Sequence, residues 1–306
     1  MAMGLAGLLA AGWLEAGAQS VTGTFERTLE IDGPVELDVR TGAGGIAVRQ
    51  GSAGQVRIVG RIEVRPRFGR SAAETEALVR RFETEPPVEV SGNQVGVGFG
   101  SDGEYREFWG NVLISYQIEV PRETALTSRT GSGSQEVAGV SGPVQAAAGS
   151  GSIVVNDVGG RVELRTGSGS IRADGIAGPI DADTGSGSVT LVQTVAGDVS
   201  VSTGSGSADL RGISGALRAR TGSGRIEVQG QPSGRWDLET GSGSIRIELP
   251  PDAAFELDAH TGSGRIETEH PVAVRGAIER GRLGGEVRGG GPLLRARTGS
   301  GSITIE

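Results

Sequence analysis

The sequence predicts an all-β fold: a single-chain, β-helix-like solenoid with coils of about 18–20 residues and one helical insertion near the N-terminus. Three observations carry this. The word Thr-Gly-Ser-Gly-Ser recurs, apolar residues stand at fixed offsets from it, and glycine reaches 55 of 306 residues without the Gly-X-Y period of collagen. The word opens at Thr130, Thr166, Thr184, Thr203, Thr240 and Thr298, with near-copies at Thr41, Ala148, Thr221 and Thr261. From 130 to 261 the starts fall 18, 18, 18, 19, 18, 19 and 21 residues apart. The step from 261 to 298 is 37 residues, which reads as two periods with a degenerate corner at Arg280-Gly281-Arg282-Leu283-Gly284.

Taken in order, the chain opens on an apolar stretch, residues 1–14, followed by Ala16-Gly17-Ala18. An Ala-x-Ala pattern after a short apolar run reads as an export signal, residues 1–20, too short to span a bilayer comfortably. Residues 21–125 read as an oversized N-terminal coil. Val35, Leu37 and Val39 alternate into Thr41, Ile46 and Val48 leave it, and Val56, Ile58, Ile62 and Val64 extend the strand pair. Pro66 ends that pattern. Ser71 with Glu74 three residues on forms a capping box, and Ala72, Leu78, Val79 and Phe82 share a helical face up to Glu83. The helix stops before Pro86-Pro87. Strands resume at 88–90 and 95–99. A loop over 100–110 carries Tyr105, Phe108 and Trp109, and a long alternating strand runs from Val112 to Val120.

Residues 126–306 read as regular solenoid repeats. One apolar column stands four residues before the corner, from Leu126 through Trp236 to Leu294. Others stand five after it, from Gln135 through Ile171 to Ile303, and seven after it, from Val137 to Ile305. In the earlier coils Val140, Val158, Ile176, Val195 and Ile213 form a further column eight residues before the next corner. Even offsets point the same way on a strand, so these columns face inward and stack about 4.8 Å apart. Aromatics are only 4% of the chain, which suits a thin aliphatic core. The intervening columns are polar. Glu227, Arg246 and Glu267 alternate in sign, and Arg165 stacks beside Asp183.

The corner word is read as structural. Gly131 and Gly133, Gly167 and Gly169, Gly185 and Gly187, Gly204 and Gly206, and Gly241 and Gly243 are expected to supply positive φ and to let corners stack. Thr130, Thr166, Thr184, Thr203 and Thr240 are expected to join their hydroxyls in a threonine ladder. A phosphate loop needs a following helix and usually a Lys; here a strand follows and Lys is absent. A calcium β-roll needs an Asp after the glycines, which these corners lack. No cofactor and no metal are therefore expected.

The net charge of −8, without a basic stripe, disfavours a nucleic-acid partner. The absence of Cys removes thiol catalysis and disulfides. Of the two histidines, His260 falls in an outward column and His270 in a turn, and no Gly-x-Ser-x-Gly elbow is present. The pairs Asp181/Asp183 and Asp237/Glu239 resemble the carboxylates of a polysaccharide-acting β-helix enzyme, against the simpler reading of a solvated charge ladder. Tyr105, Phe108 and Trp109 form the candidate binding patch, for an envelope glycan, a lipid or a surface protein, or else a cap over the solenoid end. An open-ended solenoid also allows end-to-end self-association.

Several stretches together resemble a known family: Phe25-Glu26-Arg27-Thr28-Leu29, Leu37-Asp38-Val39-Arg40-Thr41-Gly42, the repeated TGSGSI corners, and the C-terminal run from Gly284-Gly285 to the final TGSGSITIE. They look like the bacterial toast-rack putative-adhesin family. The resemblance implies an exported or envelope-associated β-solenoid, with some relatives linked to envelope-stress sensing and others to adhesion, and it brings no catalytic residue set. The expected function is a non-enzymatic binding scaffold of the cell exterior, with a sensing module and a polysaccharide-acting enzyme as alternatives. The helix at 71–83 and the lost corner near 280 depart from the regular repeat.

Overall fold

The structure is a computed structural model that describes residues 20–65, 71–98, 112–274 and 280–306. Nearly all of the expected export signal, and the aromatics Tyr105, Phe108 and Trp109, lie outside the described residues. Each repeat folds as two short strands joined by the corner word. The strand entering the corner, such as Val162–Thr166, joins an inbound sheet, and the strand leaving it, such as Ile171–Ile176, joins an outbound sheet. The two sheets are long, mostly parallel and do not close into a barrel. Each row of the stack is named here by the residue that opens its corner.

Rows stack in register, with Thr166 paired to Ala148 on one side and Thr184 on the other. Side chains alternate, so Val162, Leu164, Ile171 and Ala173 are buried between the sheets while Arg165 and Arg172 face water. Each buried Val, Leu or Ile contributes about 1.5–3 kcal/mol, but only if the next row covers it. Trp236 fits the same column because its Nε1 donates to the Gly215 carbonyl at 3.0 Å. Gln135 occupies the isoleucine column by accepting from the Ser128 hydroxyl and donating to the Ala147 carbonyl. Val195 departs from its expected column and is exposed. The 19-residue coil carries one extra residue, and Gln193 is buried opposite Ile176 instead, donating to the Gly197 carbonyl at 3.2 Å.

The corners correct two expectations. First, the hydroxyl ladder does not run from threonine to threonine. Thr166 Oγ1 donates to the Gly151 carbonyl, Thr184 to Gly169 and Thr203 to Gly187, each at 2.8 Å, so each row is tied to the row before it. The same hydroxyl accepts from the second glycine of its own word, as in Gly187 N to Thr184 Oγ1 at 3.1 Å. Thr130 and Thr240 make the equivalent bonds to Gly44 and Gly224. Second, none of Gly131, Gly133, Gly167, Gly169, Gly185, Gly187, Gly204, Gly206, Gly241 and Gly243 has a positive φ. The requirement is steric. A Cβ on Gly187 would overlap the carbonyl oxygen of Gly169, and one on Gly185 that of Gly167. Corners stacked at strand spacing leave no room for a side chain on that side.

At the N-terminal end, Val21–Glu30, Gln55–Val64 and Val112–Val120 pair antiparallel and extend the outbound sheet. Helix α1, Ala72–Thr84, begins at the expected Ser71–Glu74 capping box. It buries Thr75, Leu78, Val79 and Phe82; Ala72, expected on that face, is exposed, one turn before the first contact. Glu83 of α1 accepts from the Thr24 amide at 3.1 Å, and Arg27 donates to the Thr84 carbonyl at 3.0 Å, which occupies part of the outermost strand. Tyr116 is buried edge-on to Phe25, with ring centroids 6.4 Å apart, and its hydroxyl has no hydrogen-bond partner.

The order of rows at the C-terminal end differs from the order in the chain. The Thr298 row, Leu293–Ser300 and Ile303–Ile305, lies between the Thr240 row and the Thr261 row. The 37-residue step is therefore not two periods along the stack. Arg282–Val287 instead pairs antiparallel with Phe255–Ser263 and with Val272–Val274, so the degenerate corner at Arg280 is part of a cap. Electrostatics favour this order. It places Arg295 between Asp237 and Asp258, whereas chain order would set the two carboxylates side by side. Glu267 consequently faces Thr304 rather than Arg246. The 21-residue step before Thr261 is also explained, because its extra residues cross a row spacing that another strand fills.

Two outcomes follow from this packing. Gly187→Ala is expected to cost about 1–3 kcal/mol by overpacking, while Ser186→Ala, in the same word but exposed, stays within about 0.5 kcal/mol. Urea unfolding compares them, and equal midpoints would contradict the steric account. Burial pushes the Tyr116 phenol well above its ordinary value. An unfolded phenol titrates near about 10, so this contribution is complete below that pH and is lost as pH rises above it, by about 1.4 kcal/mol per unit. Between pH 9 and pH 11, Tyr116→Phe should therefore lose less stability than the parent chain; an identical loss would count against the burial.

Candidate functional site

The outer faces of both sheets are ladders of charged and small polar side chains. On the inbound sheet Arg220 Nε lies 3.4 Å from Glu239, and Asp258 takes Arg295 at 2.9 Å and Arg297 at 3.4 Å. Arg165, expected beside Asp183, is in register with it but forms its ion pair with Glu163 in its own strand. Such exposed pairs contribute about 0–1 kcal/mol each and mainly fix register.

A depression on this face holds one member of each expected carboxylate pair. It is shallow, about 360 Å³, and takes in Asp181 and Asp237 together with Arg161, Asp198, Arg218 and Arg235, and leaves out Asp183 and Glu239. Asp181 and Asp183, like Asp237 and Glu239, stand two residues apart on one strand, roughly 7 Å, a separation that two carboxyl groups can share, but the depression takes in only one of each pair. Asp237 is 3.4 Å from Arg235, and Asp198 accepts from the Ala216 amide at 3.2 Å. His260 is exposed, as expected, and stands in register with Arg297 and Arg282. His270 lies in the expected bend, but its ring is buried against Phe255, with centroids 5.6 Å apart, and its Nε2 has no partner. Among the described residues no group of three or more His, Asp or Glu side chains is placed to hold a metal ion.

One departure from the flat faces lies where the repetition breaks. Val88–Ser91 and Gln94–Gly98 form a hairpin beyond the Thr41 row, and Gln94–Gly98 pairs parallel with Val35–Thr41. Beside it is an open groove of about 670 Å³. Its walls carry Glu36, Asp38 and Glu89 with Ser91, Gln94, Thr127 and Gln145, and its apolar contribution includes exposed Val90 and Pro143. Gln94 Nε2 donates to Glu36 at 2.9 Å, and Arg40 Nε donates to Asp38 at 3.0 Å, so two of the acids are held in position. The arrangement offers acceptors and a small apolar wall, suited to hydroxyl-rich or cationic groups. Sequence reasoning did not find this group. Glu36 and Asp38 lie in one strand, Val35–Thr41, and Glu89 beyond the helix, and the parallel pairing of Glu36 with Gln94 brings them together. The break in repeat length between 50 and 124 was the available signal.

Comparison with known proteins places this geometry. A family model described as Toastrack DUF4097 matches residues 115–306. Among solved structures, a "putative lipid binding protein" of Parabacteroides distasonis ATCC 8503 superposes with a TM-score of 0.52 at 16% identity, covering 92% of this chain and 96% of that one. It shows the shared fold. A "putative adhesin" of the same organism gives 0.49 at 12% identity, and one of Bacteroides fragilis NCTC 9343 gives 0.40 at 11%; each match covers 93% of this chain and 97% of the other. No curated protein matches the chain.

Proposed function

This chain belongs to the Toastrack DUF4097 family, and we propose that it is a non-enzymatic binding scaffold of the cell exterior or envelope, adhesin-like in use. The observation that carries the proposal is the contrast between the faces and the N-terminal end. The faces are regular, ion-paired and shallow, whereas the groove of about 670 Å³ is open, acidic and built from irregular elements. Binding surfaces on a rigid repeat scaffold concentrate where loops and insertions leave it.

Two candidate binding regions, tested separately, belong to this proposal. One is the groove with Glu36, Asp38, Glu89 and Val90. The other is the aromatic segment Tyr105, Phe108 and Trp109, whose side chains provide flat apolar faces suited to sugar rings or lipid headgroups. The apolar leader over 1–20 supports export as part of the same proposal. Among the described residues no helix is long and apolar enough to cross a membrane. The polysaccharide-acting alternative is weaker, because the depression takes in only one carboxylate of each expected pair and guanidinium groups line it.

Binding of the purified protein to envelope glycans, lipid vesicles and whole cells tests this reading. Replacing Tyr105, Phe108 and Trp109 by Ser, or Glu36, Asp38 and Glu89 by their amides, is expected to weaken binding at least tenfold. Ser168→Ala in a central corner should leave it unchanged. Unaltered binding in both patch variants would overturn the site, and retention of the protein in the cytoplasm on cell fractionation would overturn the larger assignment.

A further inference from the structure

The Thr298 row is later in the chain than both rows it separates. Every group it touches on either side is already made when residues 293–306 appear. The slot it fills is long and exacting. Leu294, Ala296, Ile303 and Ile305 are fully buried in it. Thr298 Oγ1 donates to Gly243 and Thr261 Oγ1 donates to Gly301, both at 2.8 Å, so the row completes one corner bond on each side. Its charges also match both walls, with Arg295 on Asp258 and Arg246 on Glu306 at 3.1 Å. A slot left empty would expose apolar columns and unpaired strand edges on two rows.

The tether that delivers the row is short and turns sharply. Arg288, Gly289 and Gly290 have φ of 51°, 87° and 82°, and Gly291 and Pro292 follow. Nothing in the row's bonding depends on which copy of the chain supplies it, because Gly243, Arg246, Asp258 and Thr261 all belong to the slot. A two-strand element on a glycine hinge, bonded along two full edges, has the topology from which identical copies exchange segments.

We propose that residues 293–306 are an exchangeable row, and that the slot between the Thr240 and Thr261 rows accepts the same row from a second copy of this chain. The product is a strand-exchanged assembly in which each copy completes the other's stack. Exchange requires withdrawal of a fully buried row, so it is slow in the folded protein and favoured during folding at high concentration.

The chain has no Cys, which makes the test direct. Ser242 and Ser300 are exposed and paired in neighbouring rows. Strand neighbours about 4.8 Å apart fall within the span of a disulfide. Full-length Ser242→Cys and Ser300→Cys chains are refolded separately and as a mixture at high concentration, then oxidised and run without reductant. The mixture is expected to give a covalent dimer several-fold above either variant alone. A chain carrying both substitutions, refolded dilute, should close an internal disulfide and run as a monomer. Failure of the mixture to exceed the single-variant controls, while the double variant closes its internal bond, overturns exchange. Failure of the double variant to close overturns the row order on which exchange depends.

Discussion

Successive corners must stack at the spacing of neighbouring β-strands, and the rest of the molecule depends on that constraint. At about 4.8 Å a corner has room for backbone and little else. This single distance accounts for both glycines of the word, since a Cβ on either would overlap the carbonyl of the row before it. It also accounts for the threonine. The packed corner leaves a glycine carbonyl that the strand ladder does not satisfy, and the Thr hydroxyl meets it at 2.8 Å in row after row. The apolar columns then follow, because strands fixed in register by their corners bring like positions together.

The same constraint explains how the stack ends. A row with one free side leaves apolar side chains and strand edges uncovered, so each end needs a different kind of structure. At the N-terminus three antiparallel strands and α1 cover the outbound sheet, with Glu83 bonded to the outermost strand. At the C-terminus Arg282–Val287 folds back antiparallel over the Thr261 row. Both ends also interleave the chain. The Thr41 row sits between the Thr130 row and strands from 94–98 and 112–120, much as the Thr298 row sits between Thr240 and Thr261. The ends are thereby stitched to the body by segments distant in sequence. It is at one such junction that the acidic groove opens, since irregular strands cannot continue the flat face.

Much of this was legible in the sequence. The period, the inward columns, the helix with its Ser71 cap and the structural role of the corner word could all be read from residue spacing. What the spacing could not show was which physical effect made a residue necessary. Glycine's conformational freedom and its small size predict the same residue, and only the stacked carbonyls decide for size. Row order was also hidden, because a period counts residues along the chain and not neighbours in space. The charge pattern held the one clue, in that Asp237 and Asp258 would meet unless Arg295 came between them. Val195 and Gln193 show a smaller case: one extra residue in a coil moves the inward position by a step, and a glutamine that can bond the turn is buried instead of the valine. The groove depends on pairing between Glu36 and Gln94, which no local pattern announces.

The central claim is that the corner words are stacked posts belonging to the cooperative core rather than surface loops. Native-state hydrogen exchange measures this most directly. The amides of Gly169, Gly187 and Gly206, bonded to Thr hydroxyls at 3.1–3.2 Å, are predicted to open with the same free energy as the strand amides of Ile171 and Val189. Corner amides that exchange at the rate of an unprotected loop, while those strand amides remain protected, would contradict it.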